Sequence, residues 1–356
     1  MTALTVGGVV APARATSAGA NGLIAFEWWP DITNETSYIV GVDPVSGQHR
    51  RFTIHDTRDP AWSPDGRWFA VEGISAERTG DPRLHALTHD YGIGPAWSPD
   101  GSRIAYWAYG VGGDQIFVVD VLTGMVTQLT NDDLAVHVWP AWSPDGHRIA
   151  FVGAAPGATD SDIFVMNADG SGVADLTNNP KNDSDPSWSP DGSEIAFDRS
   201  GHIHVMNADG TNVHEVGTGV AVNPSWSPDG TQIAYEGAAS HVFVMNADGS
   251  DPRDVTPFPN ELQAGYAPAW QPACTIVGTR GDDVLTGTDG RDVICGGGGN
   301  DAISGLGGND VIFGGSGDDT IDGGPGTDVL VGGPGADRLM GRGGADLLNG
   351  IDLAAG

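Results

Sequence analysis

The chain has 356 residues, of which 47 are acidic and 16 are basic, and its formal net charge is −31. This excess of negative charge excludes binding to nucleic acid or to an anionic membrane surface through a basic patch, and it favours binding of cations. No apolar run approaches the ~18 residues of a membrane-spanning helix, which argues against direct membrane insertion. Residues 275–356 hold 25 of the 55 glycines and no glutamate. The composition therefore changes near residue 274 and predicts two architectures in one chain.

The first 20 residues form a distinct segment. They are small and apolar, with Arg14 as the only charge and with several Ala-x-Ala sequences. This composition is typical of the second half of a secretory signal peptide, and also of a disordered Ala/Gly tail. We therefore expect residues 1–20 to be a truncated leader or a disordered tail, and residues 351–356 to be a short C-terminal tail.

A tryptophan-containing repeat occupies the next part of the chain. The sequence Pro-Ala/Ser-Trp-Ser-Pro-Asp-Gly occurs five times, and a degenerate sixth copy lies at Pro268–Pro272. The tryptophans of the six copies are 35 to 46 residues apart: Trp62, Trp97, Trp142, Trp188, Trp226 and Trp270. This period predicts one four-stranded propeller blade for each copy.

Each copy has the same order of turns and strands. Pro-Asp-Gly favours a turn, because proline presets φ and glycine accepts a positive φ, and a short strand such as Ile149–Phe151 follows it. A third strand, such as Ile163–Met166, ends in Asn-Ala-Asp-Gly, which favours a hairpin turn. We expect the repeated aspartates to form these turns and the tryptophans to pack between neighbouring sheets.

The two ends of this region complement each other. Residues 21–26 match the second strand of the repeat but have no tryptophan strand before them, whereas Pro268–Trp270 has no second strand after it. Joined, the two ends would complete a sixth blade and close the ring, which removes two exposed sheet edges. The sequence thus predicts a six-bladed β-propeller over residues 21–273.

These repeats closely resemble those of the TolB-type six-bladed β-propeller. The resemblance extends over the whole predicted ring and rests on the Trp-Ser-Pro-Asp-Gly and Val-Met-Asn-Ala-Asp-Gly sequences. It implies a propeller that serves mostly as a non-catalytic binding platform. Similar repeats also form the gating propeller of some serine peptidases, so the fold alone does not determine the function.

From Gly278 the chain follows a nine-residue repeat through eight units without a gap. Position four is always glycine: Gly281, Gly290, Gly299, Gly308, Gly317, Gly326, Gly335 and Gly344. Position six is always aspartate: Asp283, Asp292, Asp301, Asp310, Asp319, Asp328, Asp337 and Asp346. Position eight is always aliphatic: Leu285, Ile294, Ile303, Ile312, Ile321, Leu330, Leu339 and Leu348.

The spacing of these residues points to calcium. Six residues of turn and three of strand make half a coil, so the aliphatic side chains stack into a thin core and the aspartates recur at one corner. Carboxylate and glycine carbonyl oxygens then converge, as a hard cation such as calcium requires. A glycine-rich disordered linker is the alternative, but a linker needs neither a fixed phase nor an aliphatic residue in every ninth position.

This pattern is similar to the RTX, or haemolysin-type, calcium-binding nonapeptide repeat. The resemblance implies a C-terminal parallel β-roll over residues 274–350, with ions between the turns of units n and n+2. Eight units would then hold up to about six Ca²⁺ ions, bound by the eight aspartates and by backbone carbonyls near the position-four glycines.

The repeat departs from its pattern mainly towards its ends. Position two is not glycine at four places, and position five has no side-chain oxygen at Ala336 and Ala345. The four exceptions at position two are Thr279, Thr288, Leu306 and Arg342. We therefore expect the outermost sites to be the weakest and residues 297–333 to be the best calcium-binding stretch.

Two cysteines flank the start of the roll. Cys274 and Cys295 are 21 residues apart, close to one coil, and they match no zinc-site spacing. We expect them to form a disulfide that fastens the first coil; two buried or unpaired thiols are the alternative. Residues 275–277 are predicted to be the strand of an incomplete unit.

Motifs for catalysis are absent from the sequence. It contains no Gly-x-Ser-x-Gly, no His-Glu-x-x-His and no phosphate-binding loop. His202 and His204 would share one face of a strand, and His55, His89 and His137 precede tryptophan strands, near a predicted channel mouth. These histidines leave open a metal site on a blade or in the channel.

The favoured interpretation is a secreted, non-enzymatic calcium-binding protein. Its propeller would bind an unidentified protein or glycan, and its roll would fold with calcium. The cell surface and the periplasm are the alternative locations. An extracellular propeller enzyme, a metal-dependent hydrolase or lyase with an RTX export tail, is the second interpretation. A structural surface protein that uses calcium to bridge chains is the third. The oligomeric state and the secretion route are left open.

Overall fold

The computed structural model describes residues 22–28, 37–52, 58–64, 66, 68–78, 84–88, 92–131, 134, 136–256, 265–272 and 274–350. The predicted leader and C-terminal tail lie outside these residues. Apart from one 3-10 turn, Ala238–Ser240, the regular structure of these residues is entirely β. Within the described residues, no helix is long and apolar enough to span a membrane.

In the part of the chain that the structure describes, 24 strands precede the roll. In chain order they are β1 (Ile24–Trp28), β2 (Tyr38–Val42), β3 (His49–Arg51), β4 (Ala61–Trp62), β5 (Trp68–Val71), β6 (Ser75–Arg78), β7 (Leu84–Ala86), β8 (Ile93–Trp97), β9 (Arg103–Gly110), β10 (Gly113–Asp120), β11 (Val126–Gln128), β12 (Val136–Trp142), β13 (Arg148–Ala154), β14 (Asp162–Asn167), β15 (Ala174–Asp175), β16 (Asp183–Trp188), β17 (Glu194–Arg199), β18 (Ile203–Asn207), β19 (His214–Glu215), β20 (Val222–Trp226), β21 (Gln232–Glu236), β22 (Val242–Asn246), β23 (Arg253–Asp254) and β24 (Gly265–Trp270).

These strands form the antiparallel sheets of a β-propeller. Five blades are each built from four consecutive strands, which are β4–β7, β8–β11, β12–β15, β16–β19 and β20–β23. The remaining four-stranded sheet has the order β24-β1-β2-β3 and therefore combines strands from the two ends of the region. The sequence predicted six blades, whereas the structure shows five, because only five sheets are built from consecutive strands. The strands at the two ends of the region pair with each other in the composite sheet.

The composite sheet is held by the pairing that the sequence predicted. Ile24 pairs with Trp270 and Ala25 with Ala269 in the antiparallel ladder between β1 and β24. The Gln271 N–H also donates to the Leu23 carbonyl at 2.7 Å. This ladder satisfies edges that an open array of blades would leave unpaired.

The repeated tryptophans pack between neighbouring sheets, as predicted. Trp188 lies in one cluster with Val138 and Ile163 of the preceding blade. Its indole Nε1 donates to the Ala141 carbonyl of that blade at 3.2 Å. Five of the six tryptophans are buried, and Trp97 is half-buried.

The repeated aspartates form turns, also as predicted. Ser143 Oγ donates to Asp145 Oδ1 at 2.5 Å, and the His147 N–H donates to the same oxygen at 3.0 Å. In the hairpin turn of the same blade, Asp169 Oδ1 accepts from Ser171 Oγ at 2.6 Å. These hydrogen bonds stabilise each turn through residues next to it in sequence, so the repeat motif of each blade determines the turns of that blade.

The nonapeptide region forms nine short strands that pair in parallel. They are β25 (Ile276–Val277), β26 (Val284–Thr286), β27 (Val293–Gly298), β28 (Ala302–Ser304), β29 (Val311–Ser316), β30 (Thr320–Pro325), β31 (Val329–Val331), β32 (Arg338–Gly343) and β33 (Leu347–Asn349). The odd-numbered strands form one sheet and the even-numbered strands the other. Each residue pairs with the residue 18 positions further on, as Ile294 does with Ile312, so one coil contains two units.

A thin column of aliphatic side chains fills the roll. Five position-eight residues form its buried core, and Leu285 and Leu339 are half-buried at its ends. The five are Ile294, Ile303, Ile312, Ile321 and Leu330. The prediction for Leu348 is wrong: its side chain is 48% exposed, because no described coil stacks beyond unit eight to cover it.

Candidate functional site

The position-six aspartates form a ladder along the roll. From Asp301 onward, each carboxylate accepts, through Oδ1, the backbone N–H of the aspartate 18 residues before it; the Asp292 N–H, for example, donates to Asp310 Oδ1 at 2.8 Å. Six such bonds run from Asp283–Asp301 to Asp328–Asp346. These six pairs are the pairs of units n and n+2 predicted to hold ions.

The second oxygen of most of these carboxylates has no partner. Oδ2 is buried without a hydrogen bond in five consecutive units, at Asp301, Asp310, Asp319, Asp328 and Asp337. A buried carboxylate oxygen left unpaired is costly unless a cation or proton satisfies it. The column of five unpaired oxygens therefore fits a row of bound cations.

Glycine backbone surrounds these oxygens closely. A Cβ built on Gly305 would collide with both Asp310 Oδ2 and the Gly323 carbonyl oxygen, so the turn tolerates no side chain there. The position-four glycines stack in the same way: a Cβ on Gly308 would lie 2.6 Å from the Gly290 carbonyl oxygen. Carboxylate and carbonyl oxygens thus line one corner of the roll, the donor set that Ca²⁺ prefers.

Side chains alone do not form a metal site. Among the described residues, no three His, Cys, Asp or Glu side chains are grouped as a metal ligand set. A site in the roll therefore draws on the position-six aspartates together with backbone carbonyls. Calcium, when bound there, would neutralise the stacked carboxylates and hold successive turns together.

The first two units satisfy their aspartates differently. Thr288 Oγ1 donates to Asp292 Oδ2 at 2.9 Å, and Thr279 Oγ1 donates to Asp283 Oδ2 at 2.8 Å. The backbone N–H of each threonine donates to the same oxygen at 2.6 Å, so hydroxyl and N–H together hold the oxygen that is unpaired in the five units that follow. The departure at position two thus has a direct structural effect, and it supports the expectation that the outer sites are weak.

We predict that Thr288→Gly strengthens calcium binding at the Asp292–Asp310 pair. The substitution removes the hydroxyl, one of the two donors that residue 288 offers to Asp292 Oδ2, and a hydrogen bond to a charged group is worth about 1.5–3 kcal/mol. Titration calorimetry on the full chain should show an additional ion, or a Kd tightened roughly tenfold. Thr286→Gly, in the exposed strand of unit one, is the control, and equal titrations for both variants would contradict the prediction.

Burial changes the protonation of the inner aspartates. It raises the pKa of Asp310 to about 7, and the charges of Asp328 and Asp292 act in the same direction. Burial likewise raises the pKa of Asp319 to about 6. Without a cation these carboxyls retain protons in the folded roll at pH values where an unfolded chain has lost them.

We therefore predict that acid favours the calcium-free roll. Between about pH 4 and pH 7 the folded state binds more protons than the unfolded state, so its stability falls as the pH rises through this window. In resin-treated, calcium-free buffer, circular dichroism should show more β-structure at about pH 5 than at about pH 8. Millimolar calcium should abolish the difference, and a spectrum independent of pH would argue against it.

A disulfide closes the start of the roll. Cys274 and Cys295 are bonded, with their Cα atoms 5.9 Å apart. Cys295 lies on β27, and Cys274 directly precedes the incomplete unit, whose strand β25 pairs with β27 through Ile276 and Ile294. The bond therefore fixes the start of the roll to its first full coil.

The propeller channel has two mouths. The first is formed by six X-Pro pairs, in which X is the residue before a proline on, or directly before, the innermost strand of each sheet. Each of the six sheets contributes one pair to a cavity of about 320 Å³. All six X residues have a positive φ, which is uncommon outside glycine. They are Asp59, Gly94, Trp139, Asp185, Asn223 and Ala267.

A β-bulge explains the backbone at this mouth. The ladders of β12 and β16 shift register at Val138/Ala141 and Ser184/Ser187, on either side of the X-Pro pair. Bulges re-aim side chains, and here they bring the X residues to the cavity wall. The prolines belong to the repeated motif, but the residue before each of them differs from blade to blade, so no repeat in the sequence marked it.

The first mouth is acidic. Burial, followed by the charge of Glu72, raises the pKa of Asp59 to about 6. Burial also raises the pKa of Asp185 to about 6, with Asp198 and Glu236 adding to the effect. Both carboxyls would be stabilised by a positively charged group placed in the cavity.

The histidines occupy other places. His137 is fully buried, its Nδ1 lies 3.1 Å from the Asp114 carbonyl oxygen, and its ring stacks on Phe151 inside a blade. His202 Nδ1 is 3.3 Å from Glu215, and His204 contacts Phe197. None of the three lines the first mouth. His55 and His89 lie outside the described residues.

Comparison with protein families finds two matches. The TolB beta propeller domain matches residues 87–277, which is more than half of the chain. The RTX calcium-binding nonapeptide repeat matches residues 275–303, 296–330 and 322–350. Such repeats, in a β-solenoid, usually bind Ca²⁺. Both families are generally non-catalytic. No curated protein sequence matches the chain.

Solved structures show the same propeller fold. TolB from Acinetobacter baumannii is 23% identical with a TM-score of 0.60, over 71% of this chain and 67% of that one. Putative TolB from Agrobacterium tumefaciens is 20% identical with a TM-score of 0.56, over 72% and 100%. A chain of a nidogen/laminin complex is 12% identical with a TM-score of 0.59, over 71% and 99%. These likenesses establish the fold alone.

Proposed function

The chain belongs to the TolB beta propeller domain family, and on that premise we propose that it is a secreted calcium-binding protein whose propeller is a non-catalytic binding platform. One observation carries the calcium role: five consecutive turns of the roll each bury a carboxylate oxygen that has no hydrogen-bond partner. The repeats that bear these aspartates match the RTX family.

Calorimetric titration of the full chain tests this role. We expect several Ca²⁺ ions, up to about six, to bind with Kd values of about 10⁻⁴ to 10⁻³ M, the range of extracellular calcium modules. Mg²⁺ at the same concentration should compete poorly, because it demands a smaller octahedral site. Absence of calcium binding at millimolar concentration would refute the proposal.

The compartment follows from the same chemistry. Cytosolic calcium lies far below the expected Kd, so the roll would fold only after export. The Cys274–Cys295 disulfide also suits an oxidising compartment. We therefore place the protein outside the cytoplasm, with the extracellular space favoured over the periplasm.

The platform is proposed as a closed ring of six blades. Five blades are continuous in sequence, and the composite β24-β1-β2-β3 sheet would be the sixth. The first mouth supports this ring, because each of the six sheets contributes one X-Pro pair to the same cavity. Closure would make the mouth a rigid surface on which a partner can dock.

The first mouth is proposed as the partner-binding site. Trp139 offers an aromatic face, and Asp59 and Asp185 come from blades three places apart in the ring. An aromatic plane between carboxylates suits a partner that presents a cationic group, or a sugar ring with hydroxyl donors. The partner is thus a protein or glycan bound through this mouth.

A pull-down from culture supernatant tests the site. Immobilised full chain in millimolar calcium should capture a partner, and Trp139→Ala should lose it. The matched control is Tyr109→Ala, because Tyr109 is an aromatic residue, 85% exposed and outside the cavity. Equal capture by Trp139→Ala and wild type would exclude the mouth as the binding site.

A further inference from the structure

The two sheets of the roll differ on their outer faces. On the sheet of odd-numbered strands, the side chains beside the core position are buried and form a second apolar cluster. On the other sheet, the equivalent Val284 is 84% exposed, and Thr320 and Arg338 are exposed too. We call the buried set the valine face, and it comprises Val293, Val311, Val329 and Val331.

The valine face lies against the second mouth of the propeller channel. That mouth is surrounded by prolines that follow the repeated tryptophan strands, which we call the proline ring. A cavity of about 190 Å³ is lined both by this ring and by Val293 and Val311 of the roll. The ring contains Pro64, Pro99, Pro144, Pro190, Pro228 and Pro272.

Polar and apolar contacts fix the roll to three different blades. Arg291 Nη1 donates to the Pro228 carbonyl at 2.9 Å, and Asn349 Nδ2 donates to the Asp100 carbonyl at 3.4 Å. On a third blade, Leu347 Cδ2 approaches so closely that a Cβ on Gly146 would lie 2.8 Å from it. Because these contacts involve three blades, the roll packs against the propeller over a surface and not only at the chain connection between them.

Arg291 is free to make its contact because it departs from the repeat. Position five elsewhere forms its own ladder: Asn300 Oδ1 accepts the Asp318 N–H, and Asn309 Oδ1 accepts the Thr327 N–H. Arginine has no acceptor for such a ladder, and its long side chain reaches the proline ring instead. Arg291 also directly precedes Asp292, so the turn that carries it is one of the predicted calcium turns.

We propose that the calcium-folded roll closes the second mouth of the propeller channel, so that calcium determines whether the proline ring is covered or exposed. The proposal rests on the calcium binding proposed above. The valine face and Arg291 exist as a surface only when the coils are stacked. Loss of calcium would therefore remove the cover from the proline ring.

Hydrogen–deuterium exchange of the full chain tests this closure. In calcium about tenfold above its Kd, peptides at the second mouth, such as 98–103 and 226–232, should exchange about tenfold more slowly than in chelator. Peptides at the first mouth, such as 137–141 and 184–187, provide the internal control and should not change. Roll peptides, such as 293–298, report whether calcium has folded the roll.

Two variants separate docking from folding. Arg291→Ala and the double variant Val311→Ser/Val329→Ser should still bind calcium and protect the roll peptides, but should lose protection at the second mouth. Val284→Ser, on the exposed face of the roll, should behave as wild type. Failure of calcium to bind would refute the proposed function. A protected roll with an unprotected second mouth in wild type would overturn only the closure.

Discussion

Chelation of calcium from the full chain should unfold residues 275–350 while leaving the propeller folded. The roll buries only five position-eight side chains completely. Each ordered residue loses about 1–2 kcal/mol of backbone entropy, which so small a core cannot offset. The unpaired Oδ2 atoms add repulsion between stacked turns once their protons are lost. Far-UV circular dichroism should therefore lose β-signal in chelator and regain it in millimolar calcium.

Single aspartate variants give this expectation a matched control. Asp310 is fully buried and belongs to two ladder pairs, because its Oδ1 accepts the Asp292 N–H and its own N–H donates to Asp328 Oδ1. Asp346 belongs to one pair, at the end of the array. Asp310→Ala should weaken calcium-induced folding by at least tenfold, and Asp346→Ala should change it least. Equal circular dichroism spectra of the wild-type chain with and without calcium would contradict calcium-dependent folding of the roll.

The repeated elements could be predicted because each carries its signal locally. Neighbouring residues determine each of these elements. Examples are the Ser143–Asp145 turn, the Asn-Ala-Asp-Gly hairpins and the nine-residue period of the roll. The pairing of Ile24 with Trp270 could also be predicted. The N-terminal partial repeat lacks a tryptophan strand, and the C-terminal one lacks the strand that follows the tryptophan. The all-β fold class and the recurrence of the position-six aspartates at one corner of the roll could therefore be predicted from the sequence.

The docking of the roll could not be predicted from either repeat alone. It depends on where two independent periodicities meet, since Pro228 and Arg291 belong to different repeats. Two local signals were nevertheless present. Arg291 is a basic residue at position five, and the residue before the core position is Val or Leu in every even-numbered unit: Val293, Val311, Val329 and Leu347.

The effect of threonine at position two was likewise only partly visible. The sequence marked Thr279 and Thr288 as departures, but it did not show that their hydroxyls take up the carboxylate oxygens. Leu306 and Arg342 depart at the same position without that effect, because the leucine side chain has no hydrogen-bond donor and the Arg342 side chain pairs with Asp322 instead. Both residues keep the positive φ of the glycines they replace. Side-chain chemistry and backbone conformation together decide the outcome of a departure.

Loss of the closing strand should destabilise the entire propeller. Trp270 is 5% exposed and packs with Ile24, Phe26 and Val242, so it joins the composite sheet to the blade before it. Replacing residues 268–272 with a Gly/Ser linker of equal length removes this tryptophan and its ladder but keeps the roll attached. Burial of a tryptophan is worth about 3–5 kcal/mol. For a domain of this size, such a loss lowers the Tm by roughly 10 °C or more.

The same linker in an exposed hairpin provides the control. Residues 121–125 connect β10 to β11, and Leu122 and Met125 are 46% and 65% exposed. Their replacement should change the propeller Tm by less than about 2 °C, because few buried contacts are lost. Thermal unfolding followed by tryptophan fluorescence in millimolar calcium compares the two variants with wild type. A Tm unchanged by the 268–272 replacement would show that the ring does not depend on closure, because the edge of β1 would then be stable without its pairing to β24.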